Sequence, residues 1–336
     1  MTSVRRSDVA QAAGVSPAVV SYVLNGGPRP VSADARRRVE AAIAELGYRP
    51  NKVAQALRGT RTHSIAMLMP DHLNPHFAEL AQAMEDEAQR RGYVLIIGTA
   101  ANDVEREQSY LRSFLDRQVD GVVLISAAAD PDVHEIEAAG IPLVLLDRAA
   151  LGATHSSVVT DNRAAAALGV RHLQQHGRTR LRFLSGPAEL EPVRERDRGW
   201  QETTGDDIDA QVWRSAFSRD AGYRAVRAAI AETGVDFDGL FTASDAQAIG
   251  ALRALREAGA RVPEDVAVVS LDGSEAGLYT LPGLTSVVQD VRRLAAEAVE
   301  ILVTGAGSTT APVHLVLEPS LRRLGSCGCD PAPGTG

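Results

Sequence analysis

Cysteine is nearly absent from this 336-residue chain: two occur, Cys327 and Cys329, both within the last ten residues. No disulfide framework can tie distant segments together, so stability has to come from buried apolar area. Lysine is scarcer still, with Lys52 alone among 35 basic residues, and aromatics make up only 4%. No apolar run approaches the roughly 20 residues of a bilayer span. The first six residues lead straight into polar sequence without the apolar stretch of an export signal. A cytoplasmic protein without membrane contact is expected. There is also no Gly-rich phosphate loop and no nucleophile with His and acid partners, so no catalytic residue and no cofactor is assigned and the chain is not read as an enzyme. His172 and His176 stand four apart, as zinc ligands can. Without an evident third ligand they read as part of a surface helix, and the two thiols of a Gly-rich tail read as a reduced, frayed terminus, so no metal is assigned either.

What is present is charge, unevenly placed. Residues 1–61 hold ten basic side chains against four acids, a net of +6, which leaves −14 for the rest of a chain whose total is −8. A basic head on an acidic body suits a segment that meets phosphate and a body that does not. In the head Ser7 is a candidate N-cap for a helix over residues 8–13, and Gly14 can end it in the left-handed conformation. Ser16 caps a second helix with Pro17 at its first position, where a missing N–H costs nothing. Val20, Val23 and Leu24 share its inner face, and Pro17, Ala18, Ser21, Tyr22 and Asn25 point outward. A third helix, capped by Ser32, ends at Leu46 before Gly47. Two short helices joined by a Gly-bearing turn in a basic segment form a helix-turn-helix, whose second helix enters the DNA major groove. The three consecutive arginines 36–38 cannot all face one partner.

Asp8-Val9-Ala10, Ala13-Gly14-Val15-Ser16, Val20-Ser21-Tyr22-Val23-Leu24-Asn25 and Leu46-Gly47-Tyr48-Arg49-Pro50-Asn51, followed by Ala54-Gln55-Ala56-Leu57-Arg58, resemble the lactose-repressor family, and the resemblance continues to about residue 325. It implies that Pro17, Ala18 and Tyr22 read bases while Ser16, Ser21 and Asn25 hold the phosphate backbone. With Pro and Ala at two reading positions, apolar contact with thymine methyls and Tyr22 must supply much of the discrimination. Residues 51–58 are too few for a helix stable alone. The resemblance implies that they fold on DNA beside the dimer mate, with Leu57 as a wedge in the minor groove and Ala54 and Arg58 at the same contact.

From residue 64 onward short continuous apolar runs (65–69, 94–98, 122–126, 143–146, 181–185, 240–243, 266–271) alternate with helical patterns, the mark of parallel sheets covered on both faces. The expected fold is an all-α helix-turn-helix head and hinge helix on an α/β two-lobed body. By resemblance that body is of the periplasmic-binding-protein type. Boundaries fall at 1–50 for the head, 51–62 for hinge helix and linker and 63–325 for the body, with lobe crossovers near 161, 290 and 318, and a flexible tail over 326–336. In open parallel sheets a ligand sits beyond the carboxyl ends of the strands. Asp71, Asn74, Ser126, Asp147, Ser185, Ser244, Asp245 and Asp272 lie there, a polar set whose carboxylates can each engage two neighbouring hydroxyls. The resemblance adds Arg196 and lines the cleft with Phe77 and Phe217. Ser244 stands where sugar-responsive members usually have asparagine, and Val291 replaces an aromatic.

The sum is a dimeric, sequence-specific transcription regulator, a repressor, whose partners are a near-palindromic double-stranded DNA operator and a small polar effector. A carbohydrate is preferred, with a nucleoside or another metabolite as the alternative. A solute-binding protein shares the body, but it needs an export signal and has no helix-turn-helix.

Overall fold

A computed structural model describes residues 4–25, 29–48, 61–147, 154–205, 211–305 and 311–329. It divides into two compact units, Met1–Thr62 and His63–Gly336.

The first unit packs α1 (Arg6–Ala13), α2 (Pro17–Asn25) and α3 (Ala33–Leu46) around Val9, Ala10, Ala13, Val20, Val39 and Ala42. Helix α1 starts ahead of the position a Ser7 cap would give it, because Arg5 is the capping residue and its N–H donates to Asp8 Oδ2 at 2.8 Å. An acid in the first turn thus satisfies an orphan donor and complements the helix dipole. Ser16 Oγ accepts from Val19 N at 3.4 Å and Ser32 Oγ from Ala35 N at 3.2 Å, as caps do. Gly14 and Gly47 end α1 and α3 at φ 62° and 61°. The Arg38 guanidinium donates to the Ala13 carbonyl at 2.9 Å, which spends one arginine of the triplet on holding α3 against the end of α1.

In the second unit β1 (Ser64–Met69), α4 (Pro75–Arg90), β2 (Val94–Thr99), α5 (Val104–Asp116), β3 (Val122–Leu124), α6 (His134–Ala138), β4 (Leu143–Leu146) and β5 (Ser156–Thr160) form the first lobe. The second lobe holds α7 (Asn162–Gln175), β6 (Leu181–Ser185), α8 (Glu191–Thr204), β7 (Val212–Arg214), α9 (Arg219–Thr233), β8 (Gly239–Thr242), α10 (Asp245–Glu257), β9 (Ala267–Asp272) and β10 (Thr285–Val288). Helix α11 (Val291–Gly305) and β11 (His314–Leu317) return to the first lobe, and β12 (Ser320–Arg322) joins the second. The strand orders are β11-β5-β4-β3-β1-β2 and β12-β10-β9-β8-β6-β7. Among the described residues every pairing is parallel except β10 with β12. The chain therefore changes lobes after β5, after β10 and after β11. All seven apolar runs of the sequence are strands, and the fold class is the expected one.

Each lobe has its own core. In the first, Ile65, Met67, Met84, Val123, Val144, Leu294 and Leu302 pack between the sheet and helices α4 and α11. In the second, Phe183 stacks on Trp200 and Phe241 with ring centroids 5.2 and 5.1 Å apart. The C-terminal segment is not frayed from residue 326. A short 3₁₀ turn, Gly325–Cys327, buries Ser326 and Cys327 in the second lobe. Ser326 Oγ donates to the Val268 carbonyl at 2.6 Å and accepts from Thr285 N at 2.8 Å. Backbone and hydroxyl bonds of this kind leave no hydrophobic period, so the small residues read as tail.

Candidate functional site

On the head, the helix that should meet DNA is α2. Ser16, Pro17 and Ala18 are exposed and Ser21 and Tyr22 half-buried, while Val20 is fully buried beneath them. The 3.6-residue period thus keeps the apolar side chain inward and leaves the first turn of the helix accessible. Asn25 is its last residue. Arg36, Arg37 and Arg38 pair with Glu40 or Asp34 of their own helix at 3.9, 3.1 and 3.2 Å, so α3 does not offer them as one cationic row. Ala54, Leu57 and Arg58 lie outside the described residues.

In the body, the carboxyl ends of the strands bring a second group together. Asn74, after β1, caps α4 by accepting from His76 N at 3.1 Å, which fixes His76 and Phe77 in the first turn. Asp147 follows β4 in the left-handed region, φ 61°, and Asp272 ends β9 at φ 118°. Non-glycine residues held there store strain, an expense typical of sites whose side chains must point one way. Arg196 comes from α8, Ser244 caps α10 and Gln289 follows β10. These residues, with Phe77, Pro192 and Phe217, line a cavity of about 20 Å³. That is room for about one water. An adjoining cavity of about 240 Å³ shares Asn74, Phe77 and Phe217 and is bounded further by Asp71.

The inner group is densely charged and almost wholly buried. Arg196 Nε donates to Asn162 Oδ1 at 2.7 Å and Nη1 to the Ala243 carbonyl at 2.9 Å, and its guanidinium sits 5.9 Å from the Phe217 ring centre. Burial lowers the Arg196 pKa, opposed by Asp147, Asp272 and Asp197. His76 Nε2 lies 3.6 Å from Asp147 Oδ1. Burial alone would push this imidazole down, but Asp272 and Asp147 together outweigh it and the Arg196 charge, so the His76 pKa is raised. Asp272 accepts from Gln289 Nε2 at 3.0 Å and from Asp245 N at 3.2 Å. Burial pushes its carboxyl up to about 7, with Asp245 and Asp147 adding to the rise and His76 and Arg196 opposing it. His76 Nδ1 and Gln289 Oε1 are buried without a hydrogen-bond partner. Each such orphan costs about 1–3 kcal/mol, a cost that a ligand hydroxyl would remove.

Residues 7–51 match the model of the family described as bacterial regulatory proteins, lacI family, and residues 170–327 match that of the periplasmic binding protein-like domain. A ribose operon repressor of Halalkalibacterium halodurans is 36% identical over 304 residues, 90% of each chain. The chain belongs to the lacI family. Among solved structures, the lac repressor dimer bound to operator and the anti-inducer ONPF is similar over 97% of this chain and 99% of its own, with a TM-score of 0.86 and 28% identity. The transcriptional regulator CelR in complex with cellobiose is similar over 96% and 99%, with a TM-score of 0.71 and 32% identity. As a lacI-family protein the chain is a sequence-specific DNA-binding transcription regulator, and its relatives include named repressors.

Of the cleft residues expected from the sequence, Asn74, Phe77, Asp147, Arg196, Phe217, Ser244 and Asp272 surround one cavity. Asp71 is in the outer one, and its carboxylate accepts from Leu73 N at 2.8 Å within its own turn. Ser126 lines neither. Its hydroxyl donates to the buried Glu107 at 2.9 Å and accepts from Ala128 N at 2.9 Å, so a strand-end serine is spent on its own lobe. Asp245 is likewise occupied, accepting from Ser274 and Ser286. His76 and Gln289 are additions that the sequence pattern does not single out. The Asn74-Pro75 helix start is the available signal for His76, because it places the next two side chains at the end of β1.

Proposed function

We propose that this lacI-family regulator is a cytoplasmic homodimeric repressor whose operator affinity is set by a polyhydroxylated small molecule, a carbohydrate, bound between the lobes. The carrying observation is the buried ring of His76, Asp147, Arg196 and Asp272 with two unpaired polar atoms, His76 Nδ1 and Gln289 Oε1, at its edge. Carboxylates and a guanidinium each engage two neighbouring hydroxyls, and Phe77 and Phe217 offer apolar faces for a ring. The ribose operon repressor and the cellobiose complex of CelR support this class of ligand. Dimerisation is supported by the lac repressor dimer on operator and by apolar side chains on the body surface, with Tyr279 and Leu281 78% and 93% exposed. No helix of the described residues is long and apolar enough to cross a membrane. We assign no catalytic turnover to the cleft.

The head residues Pro17, Ala18 and Tyr22 are proposed to read bases, and Ser16, Ser21 and Asn25 to hold phosphates. Ala54, Leu57 and Arg58 are proposed to act in the minor groove. The test is a thermal-shift screen of sugars and nucleosides on the full chain, followed by operator selection with and without the hit. A sugar that raises Tm and alters operator retention is the expected result. A nucleoside hit would replace the carbohydrate assignment, and operator binding indifferent to every stabilising compound would remove the effector.

A further inference from the structure

We propose that His172, His176, Cys327 and Cys329 form a zinc site that fastens the C-terminal segment to α7. The two histidines, four apart, lie at the end of that helix: His172 is in its last turn and His176 caps it. The two cysteines are brought to them by the 3₁₀ turn Gly325–Cys327 and by Gly328, whose φ of 92° is a conformation that side-chain-bearing residues rarely adopt. His172 Nε2 is 3.2 Å from Cys327 Sγ and 3.6 Å from Cys329 Sγ, and His176 Nε2 is 3.2 Å from Cys329 Sγ. One ligand atom from each of the four residues lies within 4.8 Å of all the others.

These spacings are those of a tetrahedral shell. Bonds of about 2.3 Å to sulfur and about 2.0–2.1 Å to nitrogen put nitrogen–sulfur edges near 3.5 Å. Two thiolates and two neutral imidazoles are also the donor set that favours zinc among divalent metals. Charge explains why such a group can sit where it does. Cys327 is fully buried, and a lone thiolate there would be costly, whereas two thiolates with one divalent cation are neutral as a unit. The Thr285 hydroxyl, 3.0 Å from Cys327 Sγ, supplies an outer contact that orients the sulfur. Four protein ligands close the shell, so the role is structural, with no open position for substrate. In the sequence neither pair supplies more than two ligands, since Cys327 lies 151 positions after His176. Only the fold joins them.

The experiment uses the full chain, expressed with zinc and analysed for metal, then stripped with a chelator under reducing conditions and titrated with cobalt. We expect about one zinc per chain, an intense visible spectrum of tetrahedral thiolate-bound cobalt, and a higher Tm with metal than without. Cys329→Ser, at a half-exposed position, should weaken cobalt binding by about tenfold or more while the chain stays folded by circular dichroism. His176→Gln serves as a second ligand variant at the other half-exposed position. Folded wild-type protein that retains no zinc and gives no tetrahedral cobalt spectrum overturns the site. So does a Cys329→Ser variant that binds cobalt as the wild type does, or formation of a Cys327–Cys329 disulfide in place of metal uptake.

Discussion

Between its ordinary pKa of 3.8 and the value of about 7 that burial imposes, Asp272 keeps in the folded chain a proton that the unfolded chain has released. Folding is therefore favoured at the acid end of that window and loses the contribution as pH rises through about 7. His76, also raised, acts in the same direction, since its proton is lost at higher pH in the native than in the unfolded state. Asp272→Asn removes the buried charge, and the Gln289 amide, whose Oε1 is otherwise unpaired, can turn to accept from the new amide. We expect the variant without ligand to be more stable than the wild type by about 1–3 kcal/mol at pH 8, with the gap closing toward pH 5, and to lose effector binding. Urea unfolding at both pH values measures this, and a gap independent of pH would show that Asp272 is not the titrating group. The strand-end rule makes Asp272 and Asp147 legible as cleft residues. It cannot reveal His76, because a side chain in a helix first turn acquires its role only when two carboxylates close on it from other elements. Ser126 shows the converse: it satisfies the rule, and the buried Glu107 claims its hydroxyl.

Helix pairs in the second lobe approach on glycines, which helix propensity scores as defects. A Cβ on Gly250 of α10 would lie 2.0 Å from the Arg219 carbonyl oxygen, and one on Gly222 of α9 would lie 2.5 Å from that of Gln247. Alanine gains about 1 kcal/mol of helix propensity at such a site. Backbone cannot step aside as a flexible side chain does, and overpacking costs about 1–3 kcal/mol or more. Overlap this deep belongs at the upper end, so Gly250→Ala should lower stability by about 1–3 kcal/mol net. Gly305, at the end of α11, is the control, since a Cβ added there would meet none of the described residues within 4 Å. Gly305→Ala should leave stability unchanged or raise it by up to about 1 kcal/mol. Paired denaturation curves decide, and equal effects at the two sites would remove the close-packing account. At this scale the sequence is most informative where strands are covered on both faces, as in β1 and β9, whose apolar runs are continuous. Strands β7, β11 and β12, three or four positions each and buried only at Leu317, leave no such run.

At the scale of the molecule, ligand in the body has to reach operator on the head, and a coupling of about 1–3 kcal/mol would change DNA affinity 5- to 150-fold. The inner cavity of about 20 Å³ is too small for a sugar, so the lobes must part about their three crossing segments for one to enter. In a dimer such a motion bears on two heads at once. Leu281→Asp places a charge on the most exposed large apolar side chain among the described residues of the body, and it should convert dimer to monomer in sedimentation while leaving the ligand-induced Tm shift in place. A variant that stays dimeric would move the interface elsewhere. The last link proposed is Leu57, where the choice of substitution separates two causes. Alanine has the highest helix propensity, so Leu57→Ala would not weaken a helix formed on DNA; it removes only the apolar side chain proposed to act as the wedge. Specific operator affinity should fall about ten- to a hundredfold, corresponding to about 1.4–2.7 kcal/mol, and the bend in operator DNA should decrease. Affinity for unrelated DNA and the salt dependence that reports phosphate contacts should be retained. Gel-shift titration with a bend assay measures both effects, and operator affinity equal to wild type would show that the wedge at residue 57 takes no part in binding.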